Sequence, residues 1–321
     1  MVKVGVIGVG ALGRHHARIY AALPGVELVG VCDVREEAAA VAREHGVAFF
    51  SDFRALAERI EAASVATPTV SHCDIACALL AEGKSVLVEK PIAPTLAEAD
   101  RMIAVADQTG ARLQVGHLER FNPAVRAARR IVRQPRFFEV DRLSVFTERS
   151  LDIDVVTDLM VHDLDILSWF VGAPVASVRA VGIPILSPKV DIANARIEFQ
   201  DGCVANLTAS RVSAEKVRKM RFFHAGGYVS VDYAAQQAVA LELLPAASPT
   251  VRPSIAGRPL AVEKDEPLRA QLASFIASVA GRTQPEVDGR TGRMALELAL
   301  SVTEEIKRHA ERTNLSPPTP R

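Results

Sequence analysis

The sequence predicts an α/β protein in two parts. A doubly wound parallel sheet with helices on both faces comes first, and an α+β part built on a mostly antiparallel open sheet follows. Three observations point to this. The chain is 321 residues long, more than one core usually serves. Its first third alternates short apolar runs with amphipathic ones, the pattern of repeated βα units. Near Phe121 that alternation stops, and strand-like runs separated by hairpin-type turns take over. The expected domains are residues 1–120 and 121–321.

Residues 2–7 read as an apolar strand and 11–22 as a helix. Residues 27–32 are strand-like, 35–45 an Ala/Glu-rich helix, 47–50 a short strand and 52–60 helical. Strand 63–66 is followed by helix 71–81, closed by Gly83, and then by strand 86–88. Thr95-Leu96-Ala97-Glu98 is a capping box that opens a helix reaching residue 108. Residues 112–115 make a sixth strand. These strands are apolar on both faces, as a sheet covered on each side requires. Helices are then expected over 122–133 and 155–170, with Pro174 just past the second. Strands follow at 178–182, 193–199, 204–209, 218–224 and 228–233, with turns at Asp201-Gly202 and Gly226-Gly227. Helices at 267–280 and 292–310 precede a tail, 316–320, expected to fray.

Composition narrows the function classes. With 49% hydrophobic and 24% charged residues the chain is an ordinary globular one, not disordered, collagenous or coiled-coil. Lys plus Arg equals Asp plus Glu, 38 each, so there is no basic excess to hold a nucleic acid backbone. No apolar run would span a bilayer, and Met1-Val2-Lys3 leads straight into a strand rather than a signal peptide. A cytoplasmic protein without a membrane partner is expected. Cys32, Cys73, Cys77 and Cys203 form no CxxC pair. Cys73 and Cys77, one helical turn apart, read better as small apolar residues on a buried helix face than as a metal pair. No metal is expected.

The richest motif is Gly8-Val9-Gly10-Ala11-Leu12-Gly13, between the first strand and the first helix. Gly8 makes a tight turn, Gly10 lets a pyrophosphate approach the backbone, and Gly13 lets helix and strand pack closely. The helix start, at Ala11 and Leu12, offers free N–H groups and the positive end of the helix dipole. Asp33 ends the second strand, where a carboxylate accepts hydrogen bonds from ribose hydroxyls and repels a 2′-phosphate. This describes a Rossmann-type dinucleotide site that favours NAD over NADP, a preference that Arg35 and Arg14 at the same site blur.

Glu89-Lys90-Pro91 sits at the C-terminal end of the fifth strand, the edge where open α/β sheets bind ligands. Asp158, His162 and Asp165 share one face of the predicted helix 155–170. Together with Thr67-Pro68 and His72 after the fourth strand, these motifs make the chain similar, over nearly its whole length, to the Gfo/Idh/MocA family of sugar and cyclitol oxidoreductases. The family usually has Gly two residues before the helix histidine; Met160 stands there instead.

The resemblance implies hydride transfer between a secondary carbinol and a nicotinamide. By that likeness Thr67, Pro68, His72, Glu89 and Lys90 join the cofactor site. Lys90 lies near the reacting hydroxyl, His162 accepts its proton, and Asp158 orients His162 or the substrate. An imidazole with an ordinary pKa of about 6.5 suits that step, and an ammonium would stabilise the developing alkoxide. A buried Lys90 with a lowered pKa is the alternative base. Gly116-His117-Leu118-Glu119-Arg120-Phe121-Asn122-Pro123 is most similar to the branch that oxidises the C3 hydroxyl of UDP-N-acetylglucosamine. In that reading Arg120 and Asn122 bind substrate together with Asp158 and His162; an interdomain ion pair is the other role open to Arg120. A dehydrogenase of free sugars or inositol and a non-catalytic dinucleotide-binding regulator are the alternatives. Arg211, Lys216 and Arg218 form a basic group that could meet a diphosphate or line a hydrated edge. A sheet with one uncovered apolar face would pair copies into homodimers or homotetramers.

Overall fold

The computed structural model describes residues 1–147, 153–244 and 254–313. The tail expected to fray lies outside them. The chain divides into two compact units, Met1–Leu118 with Glu266–Leu296, and Glu119–Asp265 with Glu297–Arg321.

The first unit is built on six parallel strands, β1 (Val2–Ile7), β2 (Val26–Cys32), β3 (Ala48–Phe50), β4 (Ala62–Val65), β5 (Ser85–Val88) and β6 (Leu113–Val115). Their order is β3-β2-β1-β4-β5-β6. Strand order reverses between β1 and β4, so the loops leaving these two strands flank the switch point where such sheets bind ligands. The connecting helices are α1 (Gly13–Ala22), α2 (Ala39–His45), α3 (Phe53–Ala57), α4 (His72–Ala81) and α5 (Leu96–Thr109). The capping box forms as read: Thr95 Oγ1 accepts from the Glu98 N–H at 3.2 Å and donates to Glu98 Oε2 at 2.6 Å. The residues of β4 and β5 are all buried, which explains why those strands read as unbroken apolar runs.

The second unit opens with α6 (Pro123–Ile131), capped by Asn122, and β7 (Phe137–Leu143). A π-helical turn, Val156–Met160, runs into α7 (Val161–Val171). Then come β8 (Val175–Ile183), β9 (Ile192–Phe199), β10 (Val204–Ser210), β11 (Val217–His224), β12 (Gly227–Asp232), β13 (Gln237–Leu244) and β14 (Ser254–Pro259). Their order is β14-β13-β12-β11-β7-β10-β9-β8. All neighbours are antiparallel except β7 and β10. The sequence reading has no β7, β13 or β14. In β7, Phe-Phe-Glu-Val-Asp-Arg-Leu alternates in burial like any half-covered strand, but its inward Arg142 hides the period. β14 is exposed along its whole length.

One sheet face is covered: Phe138, Val140, Ile197, Leu207, Met220 and Phe222 are buried on it. Phe170 of α7 stacks on Phe222 at 4.4 Å and meets Phe138 edge-on at 6.4 Å. The opposite face carries Arg196–Glu198, Arg221–Glu139 and Asn194–Thr208 contacts beside a half-buried aromatic row of Phe137, Phe223 and Tyr228, with Ile183, Leu243 and Ile255 exposed in phase with them. Charged side chains alternate with the core residues on these strands, as the period of two demands.

The chain then returns to the first unit. In α8 (Pro267–Gly281), Leu268, Leu272, Phe275 and Ile276 join the core formed by Val4, Val6, Tyr20 and Val31. The last helix, α9 (Gly289–Thr313), follows. A cut at residue 120 alone leaves this return out. Among the described residues no helix is long and apolar enough to cross a membrane.

Candidate active site

In the first unit the glycine turn has the shape a dinucleotide needs. Gly8 has φ +83°, and a side chain there would meet Ala66 and Thr67 at 2.8 Å. A Cβ on Gly13 would lie 1.8 Å from the Gly8 carbonyl oxygen, so nothing larger than hydrogen fits between strand and helix. Gly10 is different: its Cβ position is open, with Arg35 Nη2 at 3.7 Å as the nearest neighbour. Among the described residues no acceptor takes the N–H groups of Gly10, Ala11, Leu12 and Gly13. An open cradle with unfilled donors at a helix start has the features a pyrophosphate needs, and these residues fit an NAD-type cofactor.

Asp33 follows β2 and is buried. Its carboxylate accepts from the Val9 N–H at 3.0 Å and from the Arg35 N–H, Nε and Nη2 at 2.9–3.0 Å. Those bonds outweigh burial and bring its pKa down to about 2. Beside it lies a cavity of about 210 Å³ lined by Val9, Arg14, Arg35, Val41 and Glu44.

Glu89, Lys90 and Pro91 leave β5 at the same sheet edge, and the Lys90–Pro91 peptide is cis. Glu89 is buried, 3.1 Å from Nε2 of the equally buried His16 on α1. Burial raises the Glu89 pKa, but His16 and Lys90 more than offset it and hold the group below the usual carboxylate range. The carboxylate occupies the space a side chain on Gly116 would need, at 2.7 Å. His16 is absent from the sequence reading; its signal is a histidine on the inward face of α1, one turn past Gly13. His72 faces the carbonyl oxygens of Thr67 at 2.9 Å and Pro91 at 3.0 Å, tying the loop after β4 to the loop after β5. Burial keeps its pKa below the ordinary imidazole value. The Thr67, Pro68, His72, Glu89 and Lys90 motifs are therefore one connected wall. Cys73 and Cys77 are buried, 3.9 Å apart, with the Cys73 thiol pushed up to about 12, so it is a neutral thiol.

In the second unit the predicted continuous helix is interrupted. Asp158 lies in the π turn, half-buried, and Asp154 anchors that turn by accepting from the Val156 and Thr157 N–H groups at 2.9 Å. His162 is buried in the first turn of α7. Asp158 therefore stands on the π turn, while His162 and Asp165 stand on the regular helix that follows it. Such turns are frequent at functional sites. Met160, where the family usually has Gly, is buried at the junction of the turn and α7.

Arg120 and Asn122, expected on substrate, have internal partners in the fold. Arg120 makes a bidentate pair with Asp165, both bonds 2.7 Å, and lies 4.7 Å over the Trp169 ring. Asn122 accepts from the Ala124 N–H and donates to Glu119 Oε2 and the Tyr233 carbonyl, each at 3.1 Å. Both residues are buried. Next to them Arg142 donates to Asp163 at 2.6 and 2.9 Å and to Glu119 at 3.3 Å, under the Tyr233 ring. Arg211 is also committed, to Ile153 O and Asp191.

Comparisons with known proteins agree with this architecture. Residues 2–117 match the oxidoreductase family with an NAD-binding Rossmann fold, and residues 124–230 match the GFO/IDH/MocA C-terminal domain. The chain is 38% identical over 315 residues to the UDP-N-acetylglucosamine 3-dehydrogenase of Acidithiobacillus ferrooxidans, covering 97% of this chain and 99% of that one. A solved structure of a UDP-N-acetylglucosamine 3-dehydrogenase from that organism aligns with a TM-score of 0.90 over 96% of this chain and 98% of that one. The scyllo-inositol 2-dehydrogenase (NAD(+)) of Bacillus subtilis is 31% identical, over 66% of this chain and 68% of that one. Glycine turn, sheet order, lysine turn and near full-length likeness lead to one conclusion: this chain is an oxidoreductase of the Gfo/Idh/MocA family.

Proposed function

We propose that this enzyme oxidises the C3 hydroxyl of UDP-N-acetylglucosamine with NAD. The observation that carries the substrate is the match to a dehydrogenase of that name over 97% of this chain; the inositol dehydrogenases match over 56–88% of it. Gly8, Gly10, Ala11, Leu12 and Gly13 hold the cofactor diphosphate, and Asp33 takes the ribose hydroxyls. A carboxylate with a pKa of about 2 is ionised at every working pH and repels a 2′-phosphate, which supports NAD over NADP. The nicotinamide, when bound, supplies the hydride acceptor. The residues of this chain handle the proton: His162 accepts it from the substrate hydroxyl, Lys90 stabilises the developing oxyanion, and Asp158 orients the imidazole. Glu89 and His16 hold the Lys90 turn from behind. Arg120 and Asn122 act as positioning residues for α7 and α6.

The test is to incubate the purified protein with NAD or NADP and a panel of UDP-N-acetylglucosamine, free hexoses and inositols, following absorbance of the reduced nicotinamide. Reduction with the nucleotide sugar alone is expected. Turnover with inositol or a free sugar would reassign the substrate, and cofactor binding without turnover of any of them would make the chain a regulator.

A further inference from the structure

We propose that Arg218 receives the negatively charged group of the substrate, a phosphate-ester oxygen of the nucleotide diphosphate; this rests on the nucleotide-sugar reading above. Arg218 stands on β11 directly opposite Arg142 of β7. Both point to the covered sheet face, in step with Met220 and Phe222 on one strand and Phe138 and Val140 on the other. Like charges directly opposite each other destabilise a sheet, so the pair needs a reason.

Arg142 has one: its guanidinium is filled by Asp163 and Glu119. Arg218 does not share it. Its Nε is buried, and among the described residues no acceptor meets it. Its neighbours on β11 make a contrast, since Lys219 and Arg221 on the opposite face each have a carboxylate, Asp232 and Glu139. Arg211, another member of the basic group, lies just past β10 and pairs with Asp191 at 3.7 Å. Burial and the neighbouring Arg142 both lower the Arg218 pKa, opposed by the charges of Glu119, Asp163 and Asp158. Glu119 and Asp163 already serve Arg142 by hydrogen bonds. Asp158 belongs to the turn that leads to His162. A half-buried guanidinium with an unfilled donor is suited to planar, charge-assisted binding of an oxyanion.

The experiment uses the full chain saturated with NAD, so that the dinucleotide site is occupied. UDP binding is measured by calorimetry and UDP-N-acetylglucosamine oxidation by steady-state kinetics, for wild type, Arg218→Gln and Arg218→Lys, with thermal melts as a folding control. Loss of one charge-assisted contact should weaken UDP binding and raise KM in Arg218→Gln by about ten- to hundredfold, with kcat within about threefold of wild type. Arg218→Lys, which keeps the charge, should recover part of the loss. UDP affinity equal in wild type and Arg218→Gln overturns the assignment, whatever the turnover. Should Arg218→Gln fail to fold, Arg218→Lys with unchanged UDP affinity and KM overturns it equally. UDP binding that depends on Arg218 without oxidation of the sugar would uphold this site and overturn the reaction. A wild type that binds no UDP overturns both.

Discussion

Arg120 and Asp165 form a bidentate ion pair, both bonds 2.7 Å, buried and covered by the Trp169 ring. They are 45 residues apart, and the pair locks the start of α6 to α7. Removing one partner strands a buried charge. Arg120→Ala should therefore cost about 3–5 kcal/mol in denaturant unfolding. The double change Arg120→Met with Asp165→Leu should recover most of that and keep the KM for the nucleotide sugar within about twofold of wild type. A large rise in KM at restored stability would return Arg120 to the substrate.

The glycine turn separates packing from binding. Gly13→Ala places a methyl 1.8 Å from the Gly8 carbonyl oxygen, and overpacking of that kind should cost about 3 kcal/mol in unfolding free energy. Gly10→Ala meets nothing closer than 3.7 Å. Its unfolding free energy should stay within about 0.5 kcal/mol of wild type while NAD affinity falls about tenfold or more, because the methyl occupies the phosphate approach.

The two proposed chemical groups should fail in different ways. Lys90→Ala and His162→Ala should each lower kcat by about a hundredfold or more, with NAD affinity within about threefold of wild type. If His162 takes the proton, the acid limb of the pH–rate profile disappears in His162→Gln and persists in Lys90→Met. Near-normal turnover in both alanine variants would end the assignment.

Asp33 makes a prediction in pH. Its pKa is about 2 in the folded chain against about 3.9 unfolded. The folded state thus binds fewer protons in that window, so the stabilisation is complete above about pH 5 and is lost as pH falls toward 2. Asp33→Asn should flatten the fall in stability below about pH 5, read by acid unfolding. It also removes the carboxylate that holds Arg35 at 2.9 Å, so the ratio of NADP to NAD use should rise.

What could be read in advance was local. The βα alternation needs only the period of the chain, and the glycine turn and capping box need only neighbours within a few residues. Helices 267–280 and 292–310 end within a few residues of α8 and α9 for the same reason. The misses share a different cause. Arg142 sits inward on β7 because Asp163 and Glu119, 21 and 23 residues away, neutralise it. An inward charge looks outward until its partner is known. The π turn at 156–160 is equally invisible, since Val-Thr-Asp-Leu-Met fits an ordinary helix.

The amino-acid sequence by itself determined the parallel sheet, the dinucleotide turn, Asp33 and the family to which the chain belongs, because each of these rests on spacing along the backbone. Only the tertiary structure decided that Asp165 pairs with Arg120 and that Glu119 and the Tyr233 carbonyl take the Asn122 amide, that His16 stands behind Glu89, and that Arg142 and Arg218 face each other with only one of them filled by carboxylates. A buried charge takes its role from whichever opposite charge the fold brings to it, and that partner is remote in the chain.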